Sequence, residues 1–313
     1  MLRFLLSRLA AMVATVLVVA MAVSLALTAL PGDAARLMVG PEATPERYEA
    51  AKRALGLDLP WPARFARWLF LALRGDLGQS WRYPGVPVSE LILRGLSLTL
   101  PLALLVALFS FALGLALGLF SSARFGRFPD LLLSGGTAFF LAVPEFWLGI
   151  ALIGIFSVRL RFFPSGGFPG WGETRAFVHL VLPLFALGLP RAAYFARLSR
   201  ATLADLLFQD FVRTARAKGL DERRVLFGHV LRNGLIPCVA ALGLTFGRLL
   251  GGALVVEQVF SLPGLGKLAL EAAFGRDIPL LLGISLVTVA AVVATSTFAD
   301  LLYALLDPRI RLR

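Results

Sequence analysis

The sequence predicts an all-α polytopic membrane protein with six transmembrane helices. Three observations point there. The chain is 58% hydrophobic with a mean hydropathy of +0.82, well above the roughly 45–50% apolar share of soluble domains. Six apolar runs reach or approach the ~20 residues that cross a bilayer. The basic residues of the short connections gather on one side of those runs.

The first run, Leu9–Leu30, follows Arg3 and Arg8 and so imitates a secretory signal. Its apolar core of roughly twenty residues exceeds the ~7–15 of a signal, and it reads as a span. Residues 31–95 form a long, folded connection. Thr44-Pro45-Glu46 reads as an N-cap, a proline in the first turn and an acid at the positive end of the helix dipole, with Gly56 as the stop. A second helix runs from about Pro62 to Gly75, with Phe65, Trp68, Leu69 and Ala72 on its apolar face. Arg64 and Arg67 are expected to point elsewhere, as in a helix lying at the membrane interface.

Five further runs follow at Leu98–Phe120, Leu131–Val158, Leu180–Leu198, Leu235–Val256 and Ile278–Leu306. Gly114 and Gly118 in the second span, and Gly243, Gly247 and Gly251 in the fifth, recur every four residues. Each set opens a smooth face for close helix packing, against this chain or another. Arg3, Arg8, Arg124, Arg127, residues 200–233 and the tail with Arg309, Arg311 and Arg313 fall on one side, which the charge rule makes cytoplasmic, with both termini inside. Arg159, Arg161 and Arg175 oppose that asymmetry slightly, and the 31–95 loop is too long for the rule to apply. The expected division is residues 1–30 with the first span, an extracytoplasmic helical insertion over 31–95, and a five-helix core over 96–313.

Residues 200–233 interrupt this apolar chain with Arg200, Arg213, Arg216, Lys218, Arg223, Arg224 and Arg232. Each Lys or Arg at mid-bilayer costs at least ~2.5–3.5 kcal/mol, so the segment lies outside lipid. Leu203, Leu206, Leu207 and Phe211, then Val225, Leu226 and Val230, keep helical spacing. Gly219 can end one short helix in a left-handed conformation, and Asp221 can cap the next, with Glu222 in its first turn. A structured cationic loop of this kind reads as a docking surface; the plainer reading is a loop that only fixes topology.

Three ionisable residues fall inside the runs. Glu145 follows Pro144, which breaks the third helix; Arg248 lies in the fifth run and Asp300 in the sixth. Intramembrane charges face a cavity or a partner, so Glu145 and Arg248 are candidates for the translocation path or for an ion pair with each other, while Asp300 reads as structural. Gly264–Lys267 spells GLGK, but a P-loop needs glycine where Ser261 stands and Ser or Thr where Leu268 stands. His179 and His229 lie far apart, and no HExxH, GxSxG or Cys/His cluster suggests a metal site or catalysis. Cys238 is alone and reads as a buried thiol. The net charge of +12 is accounted for by the inside loops, without the aromatic-interleaved stripe that nucleic acid requires.

Taken in order, LPGD (Leu30–Asp33), RGDLGQS (Arg74–Ser80), PEFWLG (Pro144–Gly149), PSGG (Pro164–Gly167), QDFVRTARAKGLDERRVLFGHVLRNGLIP (Gln209–Pro237), FSLPGLGKL (Phe260–Leu268) and DLLYALLDPRIR (Asp300–Arg311) make the chain resemble, from end to end, the dipeptide/oligopeptide/nickel branch of ABC-importer permeases. That resemblance implies a type I importer permease fold in a prokaryotic inner membrane. It also implies a non-catalytic subunit that binds no cofactor, with ATP and Mg used by two cytoplasmic ATPase partners. A second related permease and an extracytoplasmic solute-binding protein complete the implied assembly. The ATPases would dock on Asp210, Phe211, Arg213, Thr214, Ala215, Arg216, Lys218, Gly219 and Leu220. Arg213-Thr214-Ala215 replaces the Glu-Ala-Ala of the general pattern, although Gly219 keeps its place. Peptides are the expected cargo, with nickel chelates and other small solutes also handled by such permeases. Two rival functions fare worse. A secondary transporter should show two similar halves and midplane acids, and an intramembrane enzyme should show a nucleophile and base.

Overall fold

A computed structural model describes residues 2–29, 34–40 and 42–306, and these are almost wholly helical. The elements are α1 (Leu2–Ala29), α2 (Ala34–Val39), α3 (Pro45–Ala54), α4 (Trp61–Leu73), α5 (Val88–Ser122), α6 (Phe128–Ala142) and α7 (Glu145–Leu152), which continues as a π-helical segment, Ile153–Arg159. There follow α8 (Ala176–Leu207), α9 (Asp210–Ala217), α10 (Glu222–Arg224) with a second π-helical segment, Val225–Val230, then α11 (Leu231–Gly252), α12 (Leu254–Val259), α13 (Leu265–Phe274) and α14 (Ile278–Leu306). Among the described residues, one isolated bridge between Gln79 and Pro87 is the extended pairing present.

Among the described residues, five helical stretches are long and apolar enough to cross a membrane: 8–26, 88–122, 176–207, 222–251 and 278–299. The third expected span is instead a bent pair. The segments 128–142 and 145–159 meet at 100°, because Pro144 cannot donate a helical hydrogen bond and pushes Val143 into an extended conformation (ψ 126°). Other boundaries move for identifiable reasons. Helix α5 starts at Val88 rather than near Leu98, since Val88 and Ile92 are buried while Glu90 and Arg94 pair outside; the charges closed the apolar window early. The fifth span ends at Gly252, and α12 follows as a separate short helix.

The chain divides into two compact units. The first comprises residues 1–99 and 263–293. Its core joins Val88 and Ile92 of α5, Leu265 and Ala272 of α13, and Leu280 and Ile284 of α14. Asp277, fully buried, accepts hydrogen bonds from the Ser80 hydroxyl, the Arg82 N–H (3.0 Å) and the Leu280 N–H (3.1 Å). The Tyr83 hydroxyl donates to Glu271 at 2.9 Å. Thr44 caps α3, its hydroxyl accepting from the Arg47 N–H at 3.4 Å, and Gly56 and Gly75 end α3 and α4 with positive φ. Helix α4 packs on α1, where the Trp61 indole N–H donates to Ser24 at 2.9 Å.

The second unit comprises residues 100–262 and 294–313. Its centre is α8, which packs against α6, α7 and α11. Gly114 and Gly118 let α5 lie directly on α8. A Cβ at Gly114 would come 2.5 Å from the Ala192 carbonyl, and one at Gly118 would come 2.7 Å from that of Ala196 and collide with the Ser199 hydroxyl. At Gly243 a Cβ would meet that of Ala299 at 2.5 Å. Gly247 is buried and Gly251 exposed.

Candidate functional site: the basic loop and the helix break

The basic segment begins inside α8, which runs on to Leu207 and so carries Arg200 beyond the apolar stretch. Helix α9 then lays Val212 and Ala215 inward. With Leu203, Val225 and Val230 they form a buried core, flanked by Leu206, Phe211, Leu220 and Leu226. Asp210, Arg213, Thr214, Arg216 and Lys218 stand exposed on the opposite face. Ala215 therefore serves the loop's interior, whereas Arg213 and Arg216 present their side chains outward at 74% and 41% exposure.

The turn after α9 follows from Gly219. Its N–H donates to the Arg216 carbonyl (2.9 Å) and the Leu220 N–H to that of Ala215 (3.3 Å), so two of the last helical carbonyls are satisfied. Gly219 has φ +80°, and a Cβ there would meet nothing within 4 Å. The site thus demands glycine for its backbone rather than for space. Asp221 occupies the capping position of α10, but its side chain makes no capping hydrogen bond and pairs instead with Arg224 at 3.4 Å. The expected cap is instead an ion pair. Arg216 makes a second pair with Glu222, at 2.7 Å.

The root of the loop is held by a residue that sequence reasoning missed. Asp130, 1% exposed, accepts Arg200 Nε at 2.6 Å and Nη2 at 2.7 Å, a two-point guanidinium contact. The Ser121 hydroxyl and the Gly126 N–H (2.9 Å) donate to the same carboxylate. One buried acid therefore ties the end of α5, the start of α6 and the exit of α8 together. A Pro-Asp pair in a first helical turn was the only local signal, and it reads equally well as ordinary helix-dipole complementation.

At the helix break Glu145 pairs with Arg191 of α8 at 2.8 Å, not with Arg248 as the sequence suggested. Arg191 also donates to the Leu187 carbonyl at 2.7 Å. Both side chains keep partial exposure, 16% for Arg191 and 32% for Glu145. Arg248 is exposed on α11 and has no ion-pair partner among the described residues. The side chain of Asp300 lies outside the described residues.

Three sequence motifs meet in the same unit. The ring of Phe260, 1% exposed, sits 3.1 Å from where a Cβ at Gly149 would be. The Phe260 carbonyl accepts from the Gly167 N–H at 2.8 Å, and His179 Nδ1 lies 2.9 Å from the Gly167 carbonyl. His179 is thereby a structural partner of the PSGG turn. Lys267 lies in the first turn of α13.

Comparison with known proteins agrees with this architecture. Residues 113–312 match the family described as "Binding-protein-dependent transport system inner membrane component", and residues 1–103 match its N-terminal companion. The chain is 39% identical over 286 residues to the oligopeptide transport system permease protein AppB of Bacillus subtilis (strain 168), covering 90% of each. It is 38% identical over 311 residues to the glutathione transport system permease protein GsiC of Escherichia coli O6:H1, covering 99% of each. Among solved structures, a chain of the inward-facing MetNI methionine ABC transporter superposes with a TM-score of 0.58 at 19% identity, over 70% of this chain and 97% of that one. That likeness shows the fold of a type I importer permease. Matched along nearly its whole length, the chain belongs to the family of binding-protein-dependent transport-system inner-membrane components, the permease subunits of ABC importers.

Proposed function

We propose that this multi-pass permease carries di- and oligopeptides across the membrane, driven by ATPase subunits that dock on residues 200–233. The observation that carries the reading is the loop's construction: an apolar core turns Arg213, Arg216 and Lys218 outward and is pinned to α6 through Arg200 and Asp130. The family implies partners of the ABC-importer kind, an ATPase and a binding protein. In this reading two ATPases bear ATP and Mg, this chain binds neither, a second related permease completes the path, and a solute-binding protein delivers cargo from outside. Both termini and the basic loop are cytoplasmic, and the α2–α4 insertion faces outward. Peptide cargo is supported by relatives named for oligopeptide and glutathione transport. Glu145 and Arg191 at the helix break are the side chains we assign to the translocation path.

Gly219 supplies the test. Left-handed backbone costs a residue with a Cβ roughly 1–2 kcal/mol, Asn least and β-branched Val most. Gly219→Asn should leave receptor-stimulated ATP hydrolysis in reconstituted membranes near wild type, and Gly219→Val should reduce it or abolish co-purification of the ATPases. If Gly219→Val and charge reversal at Arg213 and Arg216 all leave assembly, hydrolysis and uptake unchanged, the docking reading fails.

A further inference from the structure

A cavity of about 450 Å³ lies within the first unit, under α4 and beside the 78–85 segment. The sequence placed Arg64 and Arg67 away from the aromatic face of α4, yet here both arginines line the same cavity as Phe65 and Trp68. Trp81, Gln79, Ser24 and Ser80 also line it, and no Asp or Glu does. Among the described residues neither Arg64 nor Arg67 has an acidic partner. The Trp68 indole N–H is buried and donates to nothing among those residues, while its ring forms part of the wall. Partial burial also lowers the pKa of the Arg64 guanidinium.

Apolar surface adjoins these donors. Leu59 lines the cavity and is 39% exposed, and α4 exposes Phe70 and Leu73. Helix α1, on which α4 packs, exposes Val18, Met21 and Leu25. Two guanidiniums with no acidic partner among the described residues match an anion with several acceptor oxygens, and tryptophan and arginine beside apolar surface are the residues of a membrane interface.

We propose that this cavity holds the phosphate headgroup of an anionic phospholipid, paired with Arg64 and Arg67, with the acyl chains lying over α1 and α4. A choline headgroup would set a third cation beside two arginines and is disfavoured. A free phosphate would leave the apolar surface without a partner. The proposal does not depend on which side of the membrane the insertion faces.

The full chain, reconstituted in phosphatidylcholine nanodiscs, tests this with lipid brominated on its acyl chains, which quenches nearby tryptophan fluorescence. Brominated phosphatidylglycerol should quench at far lower mole fraction than brominated phosphatidylcholine. The expected preference is roughly 30-fold, on the order of what two basic residues at a membrane surface supply. It should fall to near unity in Arg64→Gln/Arg67→Gln and persist within a few-fold in Arg64→Lys/Arg67→Lys. Should the double glutamine variant not reconstitute, Arg67→Gln alone, at an exposed position, should lose about five-fold. Equal quenching by the two lipids, or a preference unchanged in the glutamine variants, would overturn the proposal. Displacement of the lipid by millimolar glycerol phosphate would make the ligand a soluble anion, and displacement by a free-carboxylate peptide would make it cargo; either result also overturns it.

Discussion

Replacing Arg200 by leucine should destabilise the protein by about 3 kcal/mol. Wild-type Asp130 is 1% exposed and receives four donors, two of them from the Arg200 guanidinium at 2.6 and 2.7 Å. The variant leaves a buried carboxylate with only Ser121 and Gly126 to bond it. Breaking one side of a buried ion pair costs about 3–5 kcal/mol; the lower end applies because Arg200 is itself 30% exposed and water can enter where it stood. Asp130→Leu should cost less, about 1–2 kcal/mol, since the freed guanidinium can turn to solvent. The double variant Asp130→Leu/Arg200→Leu should then cost well under the sum of the singles, a coupling of about 2–3 kcal/mol. Equilibrium unfolding in mixed micelles titrated with dodecyl sulfate gives all four free energies. If Arg200→Leu costs under ~1 kcal/mol, or the cycle is additive to within ~0.5 kcal/mol, the acid does not hold the root of the loop.

Other expectations follow from the same packing and pairing. Gly118→Val should drive α5 off α8, because even a Cβ reaches within 2.7 Å of the Ala196 carbonyl, and should cost ~1–3 kcal/mol in the same unfolding assay. Glu145→Gln should change stability by under ~1 kcal/mol, as befits a part-exposed pair, while lowering peptide uptake in reconstituted vesicles; unaffected uptake would remove Glu145 from the translocation path. A cysteine at Glu49 in a Cys238→Ser background should react with an impermeant thiol reagent added outside intact cells, and one at Asp221 should not; the reverse pattern inverts the topology.

The local grammar of this chain was legible and its long-range pairing was not. Thr44, Gly56, Gly75 and Gly219 announced caps and stops because a helix end is decided by a few adjacent residues. Pro144 announced a break, though only the structure gives its 100° angle. Charge partners were another matter. Asp130 and Arg200 are 70 residues apart, and Glu145 and Arg191 are 46 apart, and nothing in spacing selects Arg191 over Arg248. Helical periodicity set Arg64 and Arg67 off the aromatic face of α4, where Arg67 is indeed exposed, but it did not show that both border a cavity. It ranks a face by the hydrophobicity of its own residues, whereas their surroundings are made by the 78–85 segment folded against α4. The closest helix approach was read as a stripe of small residues, with the partner backbone left open; the structure names it as α8 at Gly114 and Gly118.

The shared core beneath α9 has a mechanical corollary. Leu203, Val212, Ala215, Val225 and Val230 lock the end of α8, the short helix and the start of the next span into a single stiff body. A displacement of its exposed face would move both flanking spans together. The compliant places are the prolines along those spans, Pro183 and Pro190 in α8 and Pro237 in α11, where each removes a rung from the backbone ladder. A rigid lever with soft joints inside the membrane converts displacement at its tip into bending at depth.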